Sequence, residues 1–321
     1  GRPGRVVVDG DQLKVHFPLQ GVIRSYQVDK RGQLQPQNDP LAVVPGVPLS
    51  PSGEWALRFD ESSHQLRLTS LRSGSHWNVA QDAAAQRLQG GALADDGQCL
   101  ALVQALPGHN ECSISLFRQG QPTRSRTLER PFWMRFNARG QLLYATSKSL
   151  TLYDSSMKEL WTFSSAAKAA VEAPPLYLAD SDRAGRNVLI GDVHRLFWLD
   201  AESGKTVREI QPVGRLASAR LHPDGALVCT LGTQGAHLYR AGDDGGSVPL
   251  SETLFYQKAF FHPELPLVGL LSGSRLAIHS YAEMSSQDIP GLAEKLRQQL
   301  GRRLDGEVEV LVDPAQVPQK P

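Results

Sequence analysis

A short turn recurs through most of this 321-residue chain, and no other feature restricts its fold as much. It reads Asp9-Gly10, Ser50-Pro51-Ser52-Gly53, Asp95-Asp96-Gly97, Asn137-Ala138-Arg139-Gly140, Asp182-Arg183-Ala184-Gly185 and His222-Pro223-Asp224-Gly225. His262-Pro263-Glu264-Leu265 is a seventh copy without glycine. The last positions of successive copies stand 43, 44, 43, 45, 40 and 40 residues apart. Asp, Asn, Ser and Pro pre-form such turns, and Gly supplies positive φ. A short apolar run follows each copy, as in Trp55-Ala56-Leu57 and Val188-Leu189-Ile190, so the motif is a turn between two strands.

A second marker follows each copy after 13 to 20 residues: a strand that closes on a polar turn. Its copies begin at Val28-Asp29, Leu71-Arg72, Phe117-Arg118, Tyr153-Asp154, Leu199-Asp200, Tyr239-Arg240 and Tyr281-Ala282. Two unrelated markers thus agree on number and on a period of about 42 residues. Between them Leu66-Arg67-Leu68 and Leu150-Thr151-Leu152 alternate with period two, while Leu196-Phe197-Trp198-Leu199 is apolar throughout, like a strand buried on both faces. Four short strands per repeat, each sheet too small to bury its faces alone, describe an all-β, seven-bladed β-propeller. A pair of β-sandwiches would have no reason to keep the period. The blades are expected at 5–37, 41–81, 87–128, 129–164, 173–211, 213–253 and 254–284.

His222-Pro223-Asp224-Gly225 resembles the strand-to-strand turn of WD-repeat and YVTN-type propellers. Leu199-Asp200-Ala201-Glu202-Ser203-Gly204-Lys205 and Tyr153-Asp154 resemble the end of that family's third strand, where a Trp-Asp pair often stands. The resemblance covers roughly residues 4–284. It implies a rigid platform for binding proteins. No repeat joins a Gly-His near its start to a Trp-Asp near its end.

The chain divides at 1–284, the propeller, and 285–321, an extension. Asp288 and Pro290 suit the first turn of a helix over 288–300, where Ile289, Leu292, Leu296 and Leu300 form an apolar stripe that Gly301 ends. Glu307–Val312 reads as a strand. The last repeat reaches only its third strand at Arg275–Tyr281, so its fourth comes from Val6-Val7-Val8 or from Val308–Val312. The tail stripe either packs on the propeller or is offered to a partner.

Formal net charge is +1, which gives no global attraction to nucleic acid or acidic membranes, so nucleic acid is not the expected partner. No apolar run approaches the ~20 residues of a membrane helix, so no membrane insertion is expected. Three cysteines, Cys99, Cys112 and Cys229, make no disulfide framework and suit a reducing, cytoplasmic setting, with a Cys99–Cys112 bridge left open. Gly1-Arg2-Pro3-Gly4 is no signal peptide, but a mature exported chain would read the same, so a periplasmic protein is the alternative.

Chemistry-bearing motifs are sparse. His222 and His262 are equivalent turn residues; His16, His194, His237 and His279 lie in or beside strands; His64, His76 and His109 fall in turn-like stretches. None stands at metal-ligand spacing, and no metal or organic cofactor is expected. No Gly-x-Ser-x-Gly elbow occurs, and neither Gly90-Gly91 nor Gly245-Gly246 leads into a Lys-Ser/Thr and a helix. No catalytic residue is assigned.

The sharpest charge feature is the run Arg118, Arg124, Arg126, Arg130, Arg135 and Arg139, opposed only by Glu129. Alternation puts Arg124 and Arg126 on one face of an outer strand. They read either as a charged edge that blocks aggregation or as a patch for an acidic protein surface. The function expected is a non-catalytic interaction or scaffold module within a larger assembly. The alternatives are a propeller enzyme of lactonase or quinone-dehydrogenase type, whose ligands scatter over loops, and an exported assembly or sensor propeller.

Overall fold

The computed structural model describes residues 5–9, 12–17, 20–28, 34–37, 39–79, 88–106, 110–121, 123–164, 174–241, 246–251, 256, 258–261, 266–272, 275–281 and 310–311. These residues are all-β, with no helix among them, and their strands form seven sheets. The chain divides into two compact units, Gly1–Asp29 with Leu34–Val171 and Lys30–Gln33 with Glu172–Pro321.

The first unit carries four sheets. The first contains β1 (Arg5–Asp9), β2 (Gln12–Phe17), β3 (Val22–Val28), β4 (Leu34–Pro36) and β5 (Leu41–Ala42). Both β4 and β5 pair with β3, so together they form one interrupted outer strand. Leu41–Ala42, placed by the sequence at the start of the second repeat, therefore belongs to the first sheet. The second sheet is β6 (Trp55–Asp60), β7 (Gln65–Ser70) and β8 (His76–Val79). The stretch before β6 runs beside it, with Val44 N donating to Leu57 O at 2.8 Å and Ser50 N to Trp55 O at 3.0 Å. Pro45 and Pro48 have no N–H to give, which breaks the ladder there.

The third sheet is β9 (Leu88–Leu93), β10 (Cys99–Ala105), β11 (Glu111–Arg118) and β12 (Arg124–Glu129). The fourth is β13 (Trp133–Phe136), β14 (Leu142–Ala145), β15 (Ser149–Tyr153) and β16 (Glu159–Ser164). Cys99 and Cys112 sit at opposite ends of the β10–β11 ladder, about 20 Å apart at ~3.3 Å per residue, so the bridge left open by the sequence does not form. All three cysteines are buried free thiols.

The second unit carries three sheets: β17 (Leu178–Ser181) to β20 (Thr206–Ile210) through β18 (Asn187–Gly191) and β19 (Leu196–Asp200); β21 (Leu216–Leu221), β22 (Leu227–Gly232), β23 (Gly235–Arg240) and β24 (Val248–Ser251); and β25 (Lys258–Phe261), β26 (Leu267–Ser272), β27 (Arg275–Ser280) and β28 (Val310–Leu311). The fourth strand of the last sheet comes from the tail, pairing parallel through Leu276↔Val310 and Ala277↔Leu311. Val6–Val8 instead lies in β1, paired with β2 in its own repeat. The proposed helix over 288–300, with Ile289, Leu292, Leu296 and Leu300, lies outside the described residues.

Each marker has its structural meaning. In the third and fourth sheets and in the β17–β20 sheet the first joins the first and second strands and the second joins the third and fourth; in the second sheet they stand before β6 and between β7 and β8. Neighbouring sheets stack through apolar clusters: Ile23, Val43 and Ala56 between the first and second, Leu57, Leu68, Leu100 and Phe117 between the second and third. Ile114, Phe136 and Tyr153 lie between the third and fourth. In the second unit, Trp198 and Val228 pack between the first pair of sheets, and Cys229 and Val268 between the next. Leu196, Phe197, Trp198 and Leu199 are all buried, as expected of a strand apolar on both faces.

The turns lock neighbouring sheets together. Gly97, at φ 69°, lies so close over the Trp55 ring that an added Cβ would stand 2.2 Å from it. Trp77 Nε1 donates to Gly97 O at 2.8 Å. In the second unit Asp182 accepts from Arg186 N at 2.8 Å and Asn187 N at 3.0 Å, while Trp198 Nε1 donates to Asn187 Oδ1 at 3.3 Å. A Trp-to-turn network thus forms although no repeat has the Gly-His and Trp-Asp combination.

Candidate functional site

The second sheet breaks the rule that its neighbours keep. On β6 and β7, Leu57, Leu66 and Leu68 are buried against the third sheet. The alternate positions are polar: Arg58 and Asp60 on β6, Arg67 and Thr69 on β7. Register sets Arg58 opposite Arg67, Arg67 opposite Asn78 and Thr69 opposite His76. Ala56, on the same face as Arg58, packs with Ile23 and Val43, so this polar face turns towards the first sheet. An open cleft of about 430 Å³ lies against this face, lined by Arg58, Asp60, Glu61, Arg67, Thr69 and His76 of the second sheet and its turns, with Ala42 from the first.

Like charges directly opposite on paired strands repel, so the Arg58–Arg67 pair needs compensation. Arg67 has it. Its Nη2 lies 2.5 Å from Asp60 Oδ2, and its Nε donates to Asn78 Oδ1 at 3.2 Å. Asp60 is held in turn by the Ser63 hydroxyl at 2.6 Å and by Ser62 through its hydroxyl at 2.7 Å and its N–H at 3.1 Å. Those bonds, Ser63's above all, hold its carboxyl down to about 2, with Arg67's charge a smaller contribution. Arg58 has no such counter-charge. Its Nε donates to Ala42 O at 3.2 Å, which orients the guanidinium, and it has no ion-pair partner among the described residues. The cleft therefore presents one oriented, uncompensated guanidinium beside a neutralised one.

The arginines singled out in the sequence do not form one patch. Arg124 and Arg126 do share a face of β12, opposite Leu116 and Ile114. That face looks onto the fourth sheet, where Arg126 Nη1 donates to Met157 O at 3.2 Å and its guanidinium lies 5.7 Å over the Tyr153 ring. Arg118 pairs with Cys99 at one end of the third sheet. Arg130 bonds Asn110 at the other end, roughly 25 Å along the ladder. Arg135 lies in β13 and Arg139 in the turn that follows. Glu129 opposes none of them: its carboxylate takes Lys148 Nζ at 3.3 Å and the Ser147 hydroxyl at 3.2 Å. The tail residues Ile289, Leu292, Leu296 and Leu300 lie outside the described residues.

Two other groupings have chemical potential. His222 bonds Asp224 Oδ1 through Nδ1 at 2.5 Å and the Tyr281 hydroxyl through Nε2 at 2.8 Å, packing edge-on against Phe261. Burial pushes the Tyr281 phenol well above its usual range, so it stays protonated and serves to tie neighbouring sheets. The cysteine thiols are likewise raised by burial, Cys229 to about 12, and are packing groups. Among the described residues no three His, Cys, Asp or Glu side chains are grouped to hold a metal, and no helix is long and apolar enough to cross a membrane.

Sequence reading overlooked Arg58, Arg67 and Asp60. The signal was there: charges at alternate positions of second and third strands, where apolar residues are needed on both faces.

No protein-family model and no curated protein sequence matches the chain. Solved structures do. Hsv2 of Kluyveromyces lactis is similar with a TM-score of 0.50 at 14% identity, over 83% of this chain and 92% of that one. A chain of the mitotic checkpoint complex gives 0.51 at 11%, over 85% and 92%. The β-propeller domain of Cps50 (Swd1) from Myceliophteria thermophila gives 0.51 at 14%, over 84% and 93%. The fold is that of a β-propeller.

Proposed function

We propose that this chain is a non-catalytic interaction module that holds a protein partner within a larger assembly, and that the cleft between its first two sheets is a contact surface. The observation that carries the reading is Arg58. A strand position that packing would fill with an apolar side chain instead holds a guanidinium, oriented by Ala42 O and without a counter-charge among the described residues. Packing alone gives no reason for a charge at this strand position, so its presence points to a ligand that completes it. The mitotic checkpoint chain, similar in fold, is part of a complex by its own description. Three buried free thiols support a cytoplasmic setting.

The test is to purify the tagged chain gently from its native cell and measure its size and co-eluting proteins. A stoichiometric partner lost on Arg58→Glu, with melting unchanged, is expected. A chain that elutes alone as a monomer in every extract overturns the reading.

A further inference from the structure

The arrangement around Arg58 also specifies which chemical group fits there. With Nε occupied by Ala42 O, the guanidinium keeps its end-on fork, two parallel N–H donors from Nη1 and Nη2, for a ligand. That fork matches the two oxygens of a carboxylate. Arg67, directly across on β7, is already bound to Asp60 and Asn78 and adds no free charge. Asp60 stays ionised because the Ser62 and Ser63 hydroxyls hold it, so no loss of its charge releases Arg67 at neutral pH.

The charge balance separates a carboxylate from a phosphate. Asp60 answers the charge of Arg67, which leaves the single positive charge of Arg58 for a ligand, with the Glu61 carboxylate also at the cleft but in no ion pair with Arg58. The site accepts one further negative charge at Arg58 and meets a second with repulsion from Asp60 and Glu61. A phosphate monoester brings about −1.5 to −2 at pH 7, a carboxylate only −1.

We infer that the cleft between the first two sheets binds an Asp or Glu side chain of a partner protein, the carboxylate seated end-on at Arg58. The inference rests on the interaction reading above and names the chemistry its contact surface takes.

The probe is a fluorescein-labelled Ala-Leu-Glu-Leu-Ala peptide titrated with the purified chain by anisotropy at low salt. Its Gln and phosphoserine counterparts are measured in parallel. The Glu peptide is expected to bind at least ~10-fold more tightly than the Gln peptide, as a charge-assisted bond at Arg58 requires. Arg58→Gln should erase that difference and Arg58→Lys reduce it, because lysine keeps the charge but not the fork. Lys205→Gln, on an exposed turn of the other unit, should change nothing. Equal binding of Glu and Gln peptides, no binding up to millimolar chain, or tighter binding of the phosphoserine peptide overturns the inference. If a native partner is still lost on Arg58→Glu while the peptides bind equally, the interaction reading stands and the carboxylate inference alone falls.

Discussion

Met157 stands in the third-to-fourth-strand turn of the fourth sheet with φ 63°, the left-handed conformation that Gly74, Gly120 and Gly204 hold in the matching turns of other sheets. A non-glycine residue there bears about 1–2 kcal/mol of strain. Its side chain explains why the position is not glycine. Met157 is only 5% exposed and packs with Phe136, Tyr153 and Ile114 in the cluster between the third and fourth sheets. Its carbonyl takes Arg126 Nη1 from the third sheet. Replacing Met157 by Gly relieves the strain but removes a buried side chain, at about 2–5 kcal/mol for truncation to alanine size. Glycine's freedom in the unfolded chain adds roughly 0.5–1 kcal/mol. The net expectation for Met157→Gly is a loss of about 0.5–5 kcal/mol, centred near 3. At ~2–4 °C per kcal/mol, melting by circular dichroism or calorimetry should fall by several degrees. A rise in melting temperature would show that strain outweighs packing, and would refute the account of this turn as an inter-sheet anchor.

Gly97→Ala should destabilise more than Met157→Gly, because its Cβ meets the Trp55 ring at 2.2 Å and its φ is 69°; melting no lower than wild type would refute that interlock. A chain ending at Met284 loses Val310–Leu311 and leaves β27 an open edge; its melting should fall by more than ~10 °C, well over the ~2–4 °C per kcal/mol scale, and an unchanged value would make the tail strand dispensable. Asp60's carboxyl is depressed to about 2, below its unfolded value near ~3.9, so its contribution is present above pH 4 and lost as pH falls towards 2. Asp60→Asn should therefore lower stability at pH 7 and converge with wild type near pH 2, which denaturant titrations at both values will show.

The strand order within each sheet was legible because turn chemistry is local. Gly97 and Gly225 mark positive φ between strands whatever surrounds them, and the period follows from their spacing. Where turn chemistry is weak, reading was weaker too. Leu41–Ala42 was credited to the second repeat, whereas backbone pairing makes it part of the first sheet's outer strand. The origin of the last sheet's fourth strand was not legible at all, since Val6–Val8 and Val308–Val312 are both β-branched runs and only long-range pairing separates them.

Charge was misread for a related reason. Density along the chain drew attention to Arg118–Arg139, but a β-ladder spreads neighbouring residues over both ends and both faces of a sheet, and Arg126 spends its charge on Met157 O and Tyr153. Arg58 and Arg67 are nine residues apart and look unremarkable in a count of charges. They are anomalous only once the second sheet is known to pack against the first on one face and the third on the other. In a stack of small sheets the informative charge is the one that replaces a core residue on a middle strand, because packing alone gives no reason for it. A surface arginine on an outer strand has a sufficient reason in solubility. Arg58 does not, and its fork, without a partner among the described residues and beside an Arg67 already paired with Asp60, is what turns a departure from the packing rule into a candidate site.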